Sequence, residues 1–174
     1  MLSVLFLLSS IPLFSQQEWT WSIHPEAHFK VLAPMTLTHS VRELPTAYEP
    51  ILYHQYNGGS VADSPVALAF VIDHYRLPLP SDSTDYLYNR QLFENTIEEL
   101  LSALDGELTY MDFIGDANRD VCVWKAAYRH GQGVIRGNLI IAGDQYYGLQ
   151  VFGLTKNNPE TLMNKFLDSF KIIN

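Results

Sequence analysis

The pattern of apolar and polar positions predicts four consecutive strands between residues 106 and 152. The segments alternate or are apolar on both faces, and short glycine-containing links join three of them at residues 131–133 and 143–145. Such links form hairpins, so the block is predicted to be an antiparallel meander. Helical stretches at residues 85–104 and 159–170 flank it, each with an apolar stripe at 3.6-residue spacing. We therefore expect an α+β domain, an antiparallel β-sheet with two helices packed against it.

Shorter strands are predicted ahead of the first helix, at residues 19–23, 29–33, 36–44, 51–56 and 66–75. The last of these is apolar on both faces, which is typical of a central strand. Its two alternating sets place His74 on the same face as Phe70 and Ile72, opposite Asp73. Asn57, Gly58 and Gly59 are predicted to form a turn, and Asn158 is predicted to cap the final helix.

The first residues of the chain form an apolar run without a charged side chain. Residues 2–14 are too few to span a bilayer as a helix but suit the core of a secretory signal. We predict a signal peptide at residues 1–15, a single domain at residues 16–174 and a secreted or periplasmic product without membrane insertion after cleavage. A buried N-terminal strand or a membrane anchor is the alternative.

The composition indicates a globular protein, and its net charge argues against nucleic acid as a partner. A chain of 174 residues with 47% hydrophobic and 17% charged residues is globular. Its formal net charge of −8, with no basic run, repels phosphate backbones, so nucleic acid is not expected as a partner. Cys122 is the only cysteine, which excludes an internal disulfide; its apolar neighbours favour a buried packing role.

Two short phrases carry a resemblance to a known fold. They are Phe29-Lys-Val-Leu-Ala-Pro34 and Phe166-Leu-Asp-Ser-Phe-Lys171, set around a helix and a hairpin block behind a signal peptide. This arrangement resembles small secreted bacterial proteins with a PsbP-like sandwich. The resemblance implies an antiparallel sheet with packed helices and an accessory, binding or assembly role without catalysis. Cystatin-like and lipocalin-like half-barrels are the alternative folds.

The six histidines are candidate metal ligands. His24 and His28 flank Pro25 and Glu26, but the proline favours a turn rather than the helix that such a ligand pair needs. Three further histidines lie on separate predicted strands and meet only if the tertiary structure brings them together: His39, His54 and His74. No metal site, cofactor or catalytic residue is predicted.

One strand face is the best candidate for a binding site. Trp124, Tyr128 and His130 alternate with Lys125 and Arg129. If this strand ended beside His74 or Tyr75, an aromatic and basic cleft for a small anionic ligand or a partner's tail would form. The alternative is that the aromatic side chains are core and the cations are solvated.

We therefore expect a non-catalytic binding or accessory module that recognises a protein or envelope component. Two alternatives stay open: a hydrolase with a dispersed site built from Asp73, His74 and His130, and a periplasmic carrier of a small apolar ligand. A hydrolase requires a histidine within reach of a carboxylate or serine inside a cleft, whereas a carrier requires an enclosed apolar cavity.

Overall fold

The computed structural model describes residues 18–46, 49–59, 67–78, 86–116 and 118–173. The predicted signal peptide lies outside these residues. The strands of the described part are β1 (Thr20–His24), β2 (Phe29–Ala33), β3 (Thr38–Leu44), β4 (Ile51–Gly59), β5 (Leu68–Arg76), β6 (Glu107–Asp116), β7 (Arg119–Tyr128), β8 (Gly133–Ala142), β9 (Gln145–Leu154) and β10 (Lys171–Ile172). The helices are α1 (Tyr86–Leu104) and α2 (Glu160–Ser169), and single 3-10 turns span Pro25–Ala27 and Thr155–Asn157.

Two antiparallel sheets organise the described part of the chain. The larger has seven strands in the order β3-β4-β5-β9-β8-β7-β6, and the smaller has three in the order β1-β2-β10. The hairpins from β6 to β9 form the predicted meander, and β5 is an interior strand as expected. The small sheet is completed by residues near the end of the chain, because β10 follows α2 and pairs with β2.

The large sheet carries an apolar core on each face. One core lies under α2 and the small sheet and includes Phe29, Tyr56, Phe70, Tyr147 and Phe166. The other lies on the face that α1 covers and includes Phe93, Ile97, Cys122, Trp124 and Tyr146. Burial of both faces explains why β5, β8 and β9 are apolar at successive positions. The predicted α+β class, an antiparallel β-sheet with two packed helices, is confirmed.

Two local predictions were wrong. Asn57, Gly58 and Gly59 do not turn but extend β4, where a Cβ on Gly58 would lie 2.8 Å from the Leu37 side chain. The glycine thus lets Leu37 pack closely against the strand. Asn158 does not cap α2 with its side chain: it adopts a left-handed conformation with φ of 45°, and the helix starts after Pro159.

The strand β1 turns its largest apolar side chains away from the core. Trp21 and Ile23 are 44% and 57% exposed, while Ser22 and His24 occupy the alternate positions. A histidine therefore faces the interior where an alternating apolar strand would normally place an aliphatic residue. This inversion supplies part of the site described below.

Candidate functional site

Five of the six histidines gather at one corner of the face that α2 and the small sheet cover. The short turn after β1 contributes Glu26 between His24 and His28, and the neighbouring strands β3, β4 and β5 contribute the others. Registers set this convergence: His54 lies opposite His74 in the β4–β5 pair, and His39 lies opposite Tyr56 in the β3–β4 pair. Residues opposite each other in antiparallel strands share a face, so the rings meet.

The imidazole rings contact one another and the aromatic core. His39 Nε2 lies 3.1 Å from His54 Nδ1, and the His54 and His74 ring centroids are 5.6 Å apart. The Tyr56 ring lies between His24 and His39, with centroid distances of 4.4 and 4.3 Å. Packing on a buried tyrosine holds the histidines at fixed positions rather than leaving them as freely rotating surface side chains.

Glu26 is the carboxylate of this corner. Its Oε1 accepts a hydrogen bond from the Tyr56 hydroxyl at 3.1 Å and lies 3.5 Å from His24 Nδ1. A hydrogen bond from its own backbone N–H, supported by Tyr56 and His24, keeps the Glu26 pKa below its ordinary value. Glu26 is therefore ionised at neutral pH, with a side chain that is half exposed.

Burial makes the imidazoles of His24, His54 and His74 neutral at pH 7. Desolvation is the main reason that the pKa values of His24, His54 and His74 lie below the ordinary value of 6.5. Neighbouring histidines lower them further: His39 acts on His24 and His54, while His54 and His28 act on His74. Neutral imidazoles offer one donor and one acceptor each, so this corner is suited to directional hydrogen bonding.

His74 is the most buried of these histidines, at 6% exposed. Its Nε2 lies 3.0 Å from Gln145 Oε1, whereas its Nδ1 has no hydrogen-bond partner within the described residues. A buried polar atom without a partner is rare in a folded protein, because it loses its hydrogen bonds to water and gains no protein hydrogen bond. Asn89 Oδ1 and Trp124 Nε1 are the other buried side-chain atoms of the described residues without a partner, so this property is shared with positions outside the corner.

An open cavity of about 430 Å³ lies at this corner. We call it the histidine pocket. Its polar lining is Glu26, His28, Glu49, His54, His74, Arg76 and Gln145, and its apolar lining is Pro50, Ile51, Leu52, Leu77 and Pro78. A cavity of this size with a few convergent polar groups is typical of a small-ligand or side-chain binding site. Within the described ranges, no group of three or more His, Cys, Asp and Glu is arranged to hold a metal ion.

The residues predicted as a cleft are not brought together. His74 pairs through Tyr147 and Ile140 with Val121, near the start of β7, whereas Tyr128 ends that strand. Seven residues separate these levels, which is roughly 23 Å along a strand. The cleft is therefore not formed, because the antiparallel order puts the end of β5 and the end of β7 at opposite ends of the sheet.

Each member of the predicted set has its own environment. Trp124 is 2% exposed beneath α1, so it is core rather than surface. Tyr128 packs edge-on against Phe152 at 6.4 Å, with its ring over Gly133. Arg129 and His130 are exposed and adopt left-handed conformations in the turn after β7, which ends the strand alternation assumed for His130.

Asp73 and His74 face opposite sides of the sheet, as strand alternation predicts. Asp73 accepts a 2.9 Å hydrogen bond from Gln55 Nε2, and Tyr53 also hydrogen-bonds to it. Burial is the main cause of the raised Asp73 pKa. The dispersed hydrolase site of Asp73, His74 and His130 therefore does not assemble in the structure.

Every histidine of this corner is visible in the sequence, but the sequence pattern does not show that they meet. The usable signal was the spacing of His39, His54 and His74 within three successive predicted strands. Adjacent pairing with the observed register would have predicted two of the contacts. The contribution of Glu26 and His28 was not accessible in this way, because it depends on how the small sheet packs against the large one.

The fold and site together define a three-layer α+β sandwich, with α1 on one face of the large sheet and α2 with the small sheet on the other. In a comparison with solved structures, the chain resembles the solution structure of cyanobacterial PsbP (CyanoP) from Synechocystis sp. PCC 6803. The TM-score is 0.60 at 9% sequence identity, over 95% of this chain and 98% of that chain. The fold is PsbP-like, which confirms the resemblance noted from the sequence.

No protein-family model matches the chain, and no curated protein matches it by sequence. Among the described residues, neither α1 nor α2 is long and apolar enough to cross a membrane. At 9% identity the likeness to CyanoP extends to the fold alone. The likeness therefore gives no function for this chain.

Proposed function

We propose that this protein is a non-catalytic binding or accessory module, secreted or periplasmic, that holds a protein or envelope component at the histidine pocket. The observation that carries the proposal is the open cavity of about 430 Å³ at which Glu26, His54 and His74 converge. The uncharged apolar run at residues 2–14 supports export.

A pull-down from an envelope fraction tests this proposal, with a chain of residues 16–174 as bait. The pocket variant combines Glu26→Ala with His54→Ala, both at side chains that are not fully buried. The control variant combines Arg129→Asn with His130→Asn in the exposed turn at the other end of the sheet. Asparagine is used there because it tolerates the left-handed conformation of both positions.

We expect a partner that the wild type and the turn variant retain and that the pocket variant loses. Circular dichroism and thermal unfolding of all three proteins establish that each is folded. If the turn variant lost the partner and the pocket variant retained it, the binding site would lie at Arg129 and His130, and the proposed site at the histidine pocket would be refuted. Retention by both variants would also contradict the proposal.

A hydrolase is the second candidate, because one arrangement in β1 favours it. Ser22 Oγ lies 2.8 Å from His24 Nε2, and His24 Nδ1 lies 3.5 Å from Glu26 Oε1. This is the order of nucleophile, base and carboxylate in acyl-transfer enzymes. Against it, the His24 ring packs on Phe29 and Tyr56, and Ser22 does not line the histidine pocket.

Labelling with a fluorophosphonate probe decides between the two candidates. A hydrolase predicts covalent labelling that Ser22→Ala abolishes and that Ser40→Ala, on the exposed strand β3, leaves intact. A binding module predicts no labelling of the wild type.

The carrier hypothesis predicts an enclosed apolar cavity. The cavity beside α1, of about 410 Å³, is lined by apolar side chains that include Ile97, Leu101, Leu108 and Met111. It is an open groove along the helix rather than an enclosed chamber. This shape favours the binding module over the carrier.

A further inference from the structure

The outer face of the small sheet combines exposed apolar side chains with lysines. Trp21 of β1 lies opposite Leu32 of β2. Lys30 of β2 lies opposite both Ile23 of β1 and Lys171 of β10. Directly opposed residues, and residues two positions apart in a strand, share one face of a sheet. Trp21 and Ile23 are 44% and 57% exposed. We call these five residues the Trp21 face.

The two lysines of the Trp21 face lie side by side without a carboxylate between them. Like charges directly opposite each other in antiparallel strands are unfavourable. The Trp21 ring lies under both ammonium groups, with its centroid 5.0 Å from Lys30 Nζ and 5.9 Å from Lys171 Nζ. Neither lysine is within ion-pair distance of a carboxylate among the described residues. The pair therefore leaves a local positive charge that an anion can balance.

The acidic balance of the whole chain does not cancel this local charge. The formal net charge is −8, but exposed charges more than about 10 Å apart are largely screened at 0.1 M salt. The lysines nearest to an anionic surface therefore determine its attraction. A third lysine, Lys165 of α2, lies 4.7 Å from the centroid of the Trp19 ring and extends the positive charge beyond the sheet.

We propose that the Trp21 face docks this protein on a bilayer surface that contains anionic phospholipids. The lysines contact the headgroup phosphates, and the Trp21 and Ile23 side chains lie at the boundary with the acyl chains. Tryptophan favours this boundary, and lysine can extend its ammonium group toward the headgroups. The proposal concerns a surface other than the histidine pocket and does not rest on it.

The combination of side chains favours a bilayer over other occupants. An apolar partner would leave the two lysines without anions, and a small anion would leave Trp21 and Ile23 uncovered. A bilayer presents phosphates and acyl chains together over a flat area and so matches both. None of the five residues lines the histidine pocket or the groove beside α1, and docking through a strand face requires no spanning helix.

The test is co-sedimentation of residues 16–174 with sucrose-loaded vesicles at pH 7.5. Phosphatidylcholine vesicles with roughly one third phosphatidylglycerol are compared with pure phosphatidylcholine vesicles, in about 0.1 M and about 0.5 M NaCl. Omission of residues 1–15 excludes their apolar run as the cause of binding. We expect saturable binding to the anionic vesicles, which the higher salt weakens, and much weaker binding to the neutral vesicles.

Charge variants locate the attraction. Lys30→Gln with Lys171→Gln should lower the partition coefficient about ten- to thirtyfold, because each lysine near an anionic surface contributes about fivefold. The control, Arg129→Asn with Lys156→Gln, changes the net charge equally in exposed turns after β7 and β9 and should lower it about twofold or less. Lys171→Gln alone, at an exposed position, should give about a fivefold loss with no risk to folding.

Apolar variants test the contact with the acyl region. Ile23→Thr should lower the partition coefficient about two- to fivefold, because it removes apolar area at the boundary. Its control is Ile114→Thr on β6, where the side chain is 52% exposed, and this variant should bind like the wild type. Circular dichroism establishes that each variant is folded.

Three results would overturn the proposal. The first is the absence of saturable binding of the wild type to anionic vesicles. The second is an equal loss in the two double charge variants, because the attraction would then follow net charge rather than the Trp21 face. The third is binding of soluble poly-glutamate through Lys30 and Lys171 without binding to vesicles, which would assign the face to an acidic partner protein. The pull-down tests the histidine pocket separately, so failure of one proposal leaves the other standing.

Discussion

Mild acid is expected to destabilise the fold through three histidines of this corner, of which His54 and His74 line the histidine pocket. In the folded protein, burial keeps the pKa values of His24, His54 and His74 below 6.5. In the unfolded chain these residues titrate near 6.5, so the unfolded state binds more protons at lower pH. Their contribution to stability is therefore fully present above pH 6.5 and is lost as the pH falls toward the folded values.

The magnitude follows from the number of protons. A histidine that is protonated only when unfolded changes the free energy of unfolding by at most about 1.4 kcal/mol per pH unit. Three such residues set a ceiling of about 4 kcal/mol per pH unit, which is large against a typical stability of about 5–15 kcal/mol. His54 is partly exposed, so solvent screening reduces its share, and the deeply buried His74 should contribute most.

Urea unfolding at constant ionic strength between pH 7.5 and 5.5 measures this slope. We expect stability to fall with pH in the wild type and in His130→Asn, and to fall less steeply in His74→Phe, by up to about 1.4 kcal/mol per pH unit. The Glu26 carboxylate acts in the same direction only near its own lower pKa, whereas the raised pKa of Asp73 opposes the trend. A flat profile from pH 6.5 to 5.5, or equal slopes in the two variants, would refute the reasoning.

Three further substitutions test the packing by chemical denaturation. Gly137→Ala should lower the free energy of unfolding by about 1–3 kcal/mol, because the new Cβ would lie 2.4 Å from Trp124 Nε1 and 2.8 Å from the Leu149 carbonyl oxygen. Its control, Gly59→Ala, should lower it far less, because the nearest atom to the new Cβ would be 3.8 Å away. Phe166→Ala, at a fully buried ring, should cost about 3–5 kcal/mol, against about 0.5 kcal/mol or less for the exposed Leu52→Ala. Lys125→Met removes the ion pair with Glu160 at the start of α2 and should cost at most about 1 kcal/mol, less at high salt. Equal losses within the first or second pair, or a salt-independent loss in the third case, would contradict these assignments.

Local periodicity was enough to predict most secondary structure. Alternation of apolar and polar residues predicted the strands of the meander, and an apolar stripe predicted α1. Both patterns depend only on which positions of a regular element face a core. The same argument placed His74 correctly with Phe70 and Ile72 on one face of β5. It failed at Asn57 to Gly59, which extend β4 instead of forming a turn and where Gly58 admits the Leu37 side chain.

The candidate site was decided by contacts between residues distant in sequence. Trp124 has the same alternation whether it is exposed or buried, and only the packing of α1 over β7 makes it core. His39, His54 and His74 meet because two strand pairs adopt a particular register, and a shift of one residue would have turned them to opposite faces. Glu26 and His28 join them because the turn after β1 packs against β4, where the Tyr56 hydroxyl donates a hydrogen bond to Glu26. The sequence by itself determined which faces are apolar, whereas the tertiary structure alone decided which polar side chains share a pocket, since register and layer packing are not properties of any single segment.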